Sequence, residues 1–227
     1  MHEHIKKIHP SDWIPLAALS AACVVFALPF IPAWGFVFAL SFSIFFGFKW
    51  LTLKRAVAGG ARPGYGRALG YIFCWVGMDA GRFLDESRRP RIPRAGEWAA
   101  ALLKTALGCA MFWILAREVY ESHALAGGYV GFTGFLILTF SAGFHLLSLA
   151  WRHIGADAEP IMRSPLLASS PSDFWSRRWN LAFRNIDSEF VFRPAARRWG
   201  TVPAGLGGVF FFWGFFQPVK AFPVKAG

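Results

Sequence analysis

Four stretches of this chain stay apolar for long enough to cross the hydrocarbon core of a bilayer, which takes about 20 helical residues. They run from Trp13 to Ala33, Trp34 to Leu51, Trp98 to Ala116 and Leu125 to Ala150. Inside lipid no water satisfies the backbone, so such stretches close their hydrogen bonds internally as helices. A fifth run, Val202 to Phe216, is shorter and aromatic. Pro29 and Pro32 mark the turn between the first two spans, since proline disfavours helix at the residue before it. The run Ala68 to Met78 has about half the spanning length, which reads as a re-entrant or interfacial segment.

Composition excludes the alternatives. Hydrophobic residues make up 55% of the 227, charged residues only 16%, and mean hydropathy is +0.40. Soluble domains carry about 25% charged residues and must cover their outside with polar groups. A disordered chain or a disulfide scaffold is excluded by the same figures. Cys23, Cys74 and Cys109 stand apart in apolar surroundings and read as packing residues, without disulfide or metal spacing. The expected fold is all-α: one polytopic membrane domain over residues 1–227. It has about five transmembrane helices, the re-entrant or interfacial segment and a cytoplasmic amphipathic helix.

The net charge of +11 would suggest nucleic acid in a soluble protein, so the positions of the cations matter. Of the 24 Lys and Arg, all but Lys104, Arg117, Lys220 and Lys225 fall on one side if the N-terminus and the two long loops share it. Basic loops mark the cytoplasmic side. The reading is therefore a multi-pass protein with a cytoplasmic N-terminus, basic loops that meet anionic lipid, and no nucleic-acid partner. Lys6 and Lys7 before an apolar run imitate a signal peptide, but no small-residue cleavage site follows.

The most informative segment is Ser169 to Asp187, SSPSDFWSRRWNLAFRNID, in the second basic loop. Ser170 as N-cap, Pro171 at the first position and Asp173 in the first turn announce a helix start. At about 100° per residue, Asp173, Arg177, Asn180 and Arg184 share a polar face. Trp175, Trp179, Ala182, Phe183 and Ile186 take the opposite arc. This predicts an amphipathic helix at the membrane surface, with an Asp173–Arg177 pair of small value.

The run Ser172 to Asn180, SDFWSRRWN, resembles the signature of the wax synthase-like branch of the membrane-bound O-acyltransferases. The segment YIFCWVGMDAGRF, Tyr71 to Phe83, resembles the Trp-Pro-Gly-Met-Asp segment of bacterial relatives, with Val76 in place of the proline. The region of resemblance runs from about Tyr71 to the C-terminus. It implies transfer of a fatty acyl group from acyl-CoA, as co-substrate, to the hydroxyl of a lipophilic alcohol. It implies no resident cofactor or metal, membrane lipids as partners, and a bacterial inner membrane as location. Asn180 matches the asparagine that faces the reaction chamber, and Asp173, Phe174, Trp175, Arg177, Arg178 and Trp179 match substrate-contacting motif positions. Arg177 and Arg178 suit the donor's phosphates.

An alcohol needs a positioned base at neutral pH. In the family this is a histidine in the span after the motif. Here the corresponding residues are Trp213 to Pro218, with Gln217 and no histidine, and an amide does not titrate. Relatives also continue with further spans beyond the point matching Gly227. The sequence thus reads as a truncated copy or as a non-catalytic relative.

Among other ionisable groups, His145 lies inside the fourth span, and ionisable groups at membrane depth are functional candidates. It precedes the motif, so the family's base role does not carry over to it. Lys104 is expected to snorkel along its own stem. His123 stands in the short outer loop beside Glu118 and Glu121 without a second histidine, and His2, His4 and His9 read as a solvated end. The alternative class is a transporter or scaffold, which predicts polar groups clustered at mid-membrane and broken helices in related halves. The sequence shows neither an internal repeat nor paired ionisable residues across spans.

Overall fold

The computed structural model describes residues 9–27 and 30–200. The fifth apolar run, Gln217, and the N-terminal residues His2, His4, Lys6 and Lys7 lie outside these. Among the described residues every regular element is helical. Four are long and apolar enough to cross a membrane: α1 (Pro10–Ala27), α2 (Ala33–Ala58), α5 (Ala95–Ser122) and α6 (Ala124–His153). Between them stand α3 (Tyr65–Cys74) and the single turn α4 (Ala80–Phe83). After them come α7, made of Pro171–Asp173 and the wider turn Phe174–Arg178, and α8. The last begins as Leu181–Ile186 and continues through Asp187–Phe192 and Arg193–Trp199. The protein is an all-α polytopic membrane protein.

The spanning helices are apolar around most of their circumference, as lipid contact requires. Phe26, Phe38, Leu103, Ile114 and Phe132 are among the exposed large side chains. The non-spanning reading of Ala68 to Met78 is met by α3, whose ten residues rise only about 15 Å. Cys74, at its end, is exposed rather than packed.

Several span boundaries differ from expectation. The first span was expected to reach Ala33, but α1 ends at Ala27 and Ala33 opens α2. The sequence ends the second span at Leu51, with Lys54 and Arg55 beyond it; α2 instead runs to Ala58. Alternating polar residues near the end mimic a loop, yet Lys, Arg and Leu are all good helix formers. The helix stops where Gly59 donates its N–H to the Arg55 carbonyl (2.9 Å) and Gly60 takes φ +106°, a backbone conformation glycine accepts without penalty. The loop between the third and fourth spans shrinks to His123, which separates α5 from α6 in an extended conformation.

The chain forms two compact units. The first comprises α1, α2, α3, residues 78–81 and the chain from Ala182. At its centre Lys49 is wholly buried, its Nζ 3.7 Å from the Tyr71 ring centroid. The Tyr71 hydroxyl and Thr52 Oγ1 are 2.6 Å apart. Phe190 packs edge-on to Trp13 and beside Phe48, and Arg55 pairs with Glu189 at 2.7 Å.

The second unit comprises Trp75–Gly77 and Arg82–Leu181. Its backbone is the α5–α6 hairpin, which closes through small residues. A Cβ on Gly134 would stand 2.7 Å from the Phe112 nitrogen, and one on Gly127 would stand 2.6 Å from Tyr120 Cα. Association of membrane helices depends on such close approach. The returning chain folds back on the α6 end. Ser148, buried in α6, donates to the Ala158 carbonyl at 2.6 Å. The Arg82 guanidinium grips Asp157 through two hydrogen bonds, of 2.9 and 3.1 Å. It also reaches Glu159, which in turn pairs with Arg163. Burial alone would lift the Glu159 carboxyl, but Arg82 and Arg163 together hold the group below its ordinary range.

Candidate functional site

The motif loop starts as the sequence predicts. Ser170 Oγ accepts from the Asp173 N–H at 3.0 Å, with Pro171 at the first position. The single amphipathic helix expected over Ser169 to Asp187 does not form. From Phe174 to Arg178 the turn widens to π geometry, and the Trp179 N–H donates to the Phe174 carbonyl at 2.8 Å. Trp179 is extended, Asn180 adopts a left-handed conformation (φ +39°), and a new helix begins at Leu181. Asparagine tolerates this backbone better than most side-chain-bearing residues.

A wider turn aligns residues five apart instead of four. Asp173 therefore pairs with Arg178 (2.6 Å) and not with Arg177. In the same way Phe174 stacks on Trp179, with centroids 5.3 Å apart and planes at 16°. The hydrogen bonds from Arg178 and the Ser169 N–H hold the Asp173 carboxyl below its ordinary range. Trp179 also lies 6.4 Å from Phe140 of α6 at 27°, which ties the motif to the hairpin. Trp175 and Arg177 are left exposed.

The break itself is clamped from the other side of the loop. The Arg163 N–H donates to the Arg178 carbonyl and the Leu181 N–H to the Ile161 carbonyl, each at 2.9 Å. Between them the Asn180 N–H points at Met162 Sδ, 3.3 Å away. These bonds replace the helical ones lost at Trp179 and Asn180, as buried backbone groups require.

The Tyr71 to Phe83 segment divides between the two units. In the second, Trp75 stacks on buried Phe83 at 5.9 Å, and Phe83 meets the Trp151 ring at 4.9 Å. Arg82 supplies the clasp on Asp157. This part of the segment packs against the end of α6 and the returning chain at Asp157.

His145 is joined by a residue to which the sequence assigned another posture. Lys104 does not snorkel along α5; its Nζ crosses to α6 and lies 3.4 Å from His145 Nδ1. One to two helical turns away on the same face, Arg152 pairs with Glu97 at 2.6 Å and donates to the Arg91 carbonyl at 3.0 and 3.2 Å. Glu97 also accepts from the Arg94 N–H and so caps α5. The expectation of no paired ionisable residues across spans thus fails at two places. The signal was present: His145, Ser148 and Arg152 recur at helical spacing on one face of α6, opposite Glu97 and Lys104, themselves two turns apart on α5.

The fold and these groups define an all-α membrane protein with a clamped, aromatic loop at one end of a helix hairpin. Three curated proteins match part of it, all from Arabidopsis thaliana. The chain is 43% identical over 49 residues to probable long-chain-alcohol O-fatty-acyltransferase 9, and 44% identical over 50 residues to number 3 of that series. It is 37% identical over 57 residues to number 1. These matches take in 22–25% of this chain and only 14–17% of each relative's length. No family model matches the chain, and no solved structure matches it. The chain is thus similar, over a limited stretch, to probable long-chain-alcohol O-fatty-acyltransferases. The relatives are plant proteins, so the bacterial inner membrane rests on the Tyr71 to Phe83 resemblance alone.

Proposed function

We propose that this protein transfers a fatty acyl group from acyl-CoA to the hydroxyl of a lipophilic alcohol. The observation that carries the reading is the local identity of 37–44% to three long-chain-alcohol O-fatty-acyltransferases. In the reaction the alcohol oxygen attacks the thioester carbonyl, the carbon–sulfur bond breaks, and the hydroxyl proton leaves with the thiol. The geometry supports roles for the motif residues. The stacked Phe174 and Trp179, with exposed Trp175, offer an aromatic platform to an alkyl chain. Arg178 is spent on Asp173, which leaves exposed Arg177 to meet the donor's phosphates. Asn180, fixed at the break, presents an amide that hydrogen-bonds a reacting oxygen.

His145 accepts a proton in this scheme only while Lys104 is neutral. As an ammonium, Lys104 donates to Nδ1, and Nε2 then carries the ring proton and acts as a donor. We further propose a cytoplasmic N-terminus, because that orientation puts both basic loops on one side.

The test uses membranes containing the full chain, labelled long-chain acyl-CoA and a long-chain alcohol. Labelled ester above that of membranes without the protein, reduced at least about tenfold by Asn180→Ala, is the expected result. Absence of ester from membranes that contain the folded protein would overturn the reading.

A further inference from the structure

A lysine inside a spanning helix has four ways to avoid an isolated charge: reach back to the headgroups, pair with an acid, bind an anion, or give up its proton. The first does not occur, since Lys104 Nζ turns across to His145. Its position, nine residues into α5, corresponds to about 14 Å of helix rise. The second does not occur among the described residues either. Glu97, the nearest acid along α5, is already taken by Arg152 at 2.6 Å, and Lys104 forms no ion pair there.

Two states remain: a neutral amine, or an ammonium balanced by a bound anion. In the second the ammonium donates to the ring nitrogen, and the imidazole presents a further N–H donor from Nε2. Both side chains are half-buried, not sealed. Next to Lys104 in the chain, Leu103 is 72% exposed, and Leu107, one turn on, is 52% exposed. One cationic and one neutral donor at depth, beside a lipid-facing apolar surface, match a single-chain amphiphile with a small anionic head. A phospholipid phosphate, held at the interface by its two chains, is placed less well for a pair so far from the helix end.

We infer that Lys104 and His145 form a binding site for the carboxylate of a long-chain fatty acid, its alkyl tail lying along α5 at Leu103 and Leu107. Arg152 is the other cation on this face, and Glu97 neutralises it; the carboxylate therefore prefers Lys104. The site does not depend on acyl transfer, and binding is read without any transfer step, so the two readings fail separately.

The experiment places the full chain in nanodiscs of phosphatidylcholine and titrates palmitate carrying ¹³C at the carboxyl carbon. A shifted carboxyl resonance and saturable binding are expected. Lys104→Met weakens binding about tenfold or more, the loss typical of a charge-assisted hydrogen bond, while Lys104→Arg keeps it within about threefold. Gel filtration and helical circular dichroism establish that both variants are folded. Equal binding by the wild type and Lys104→Met overturns the site. So does equal binding of methyl palmitate, which has the tail without the charge. Displacement of palmitate by phosphatidylglycerol in the discs, itself dependent on Lys104, overturns the carboxylate assignment in favour of a lipid phosphate.

Discussion

Asn180 shows how much one backbone angle decides here. Its positive φ ends the first half of the motif loop and turns the second half into α8, with the Arg163–Arg178 and Leu181–Ile161 bonds closing around it. A β-branched residue would oppose that conformation at about 1–2 kcal/mol, whereas glycine takes it freely. Asn180→Val should therefore lower the melting temperature in detergent and expose the loop to protease, and Asn180→Gly should not. If the amide acts on the reacting oxygen, both variants lose ester synthesis, which separates the conformational role from the chemical one. Asp173 supplies a pH dependence of definite sign. Its carboxyl is held below the ordinary range by Arg178, so the pairing stabilises the loop above the ordinary carboxylate pKa. The stabilisation is lost as pH falls through the lowered value. Protease susceptibility of the loop should rise on that acidification, and Arg178→Gln should move the rise toward neutral pH. The residues of this loop were legible in the sequence, because caps, charges and aromatics declare themselves by type. Their partners were not. Pairing was projected at 3.6 residues per turn, and a π turn changes the neighbour of Asp173 from Arg177 to Arg178 without altering the composition.

Among the elements, α5 and α6 carry the second unit, and two kinds of contact hold them. One is steric: Gly134 lets the Phe112 backbone approach to where a side chain would collide. Gly134→Leu should force the helices apart, cost roughly 1–3 kcal/mol as overpacking does, and lower the thermal midpoint in detergent. The other is polar. Arg152 is 9% exposed while Glu97 keeps 31% of its side chain exposed, so the pair is sheltered on one side only. Arg152→Met should cost roughly 2 kcal/mol, less than the loss of a fully buried pair, and should release the chain near Arg91 to hydrogen exchange. The existence of these helices was plain from length and hydropathy. Span ends were misplaced, that of α2 among them, because charged residues such as Lys54 and Arg55 continue a helix as well as they begin a loop. The Lys104–His145 and Glu97–Arg152 contacts lie between helices. Only a comparison of the two helical faces, with the hairpin closed at His123, could have put them together.

For the whole molecule the governing quantity is the sidedness of its charge. Lys and Arg near span ends resist translocation, so the membrane insertion machinery leaves the basic segments on the cytoplasmic side. The structure moves Lys54 and Arg55 from a loop onto α2, but they remain near its end and leave the asymmetry in place. Arg117, near the far end of α5, stands alone against the basic run before α5 and the one after α6. The hairpin tip at His123 and the loop at Leu166, which is 97% exposed, should therefore face opposite sides. Replacement of Cys23, Cys74 and Cys109, none of them in a disulfide, by alanine gives a background for single probes. In intact cells a membrane-impermeant maleimide should label the His123→Cys variant, and the Leu166→Cys variant should label only after permeabilisation. That pattern puts the motif loop with its Arg177 on the side where acyl-CoA is made. The reverse pattern would remove the donor from reach of Arg177 and overturn both the orientation and the acyl-transfer reading that needs it.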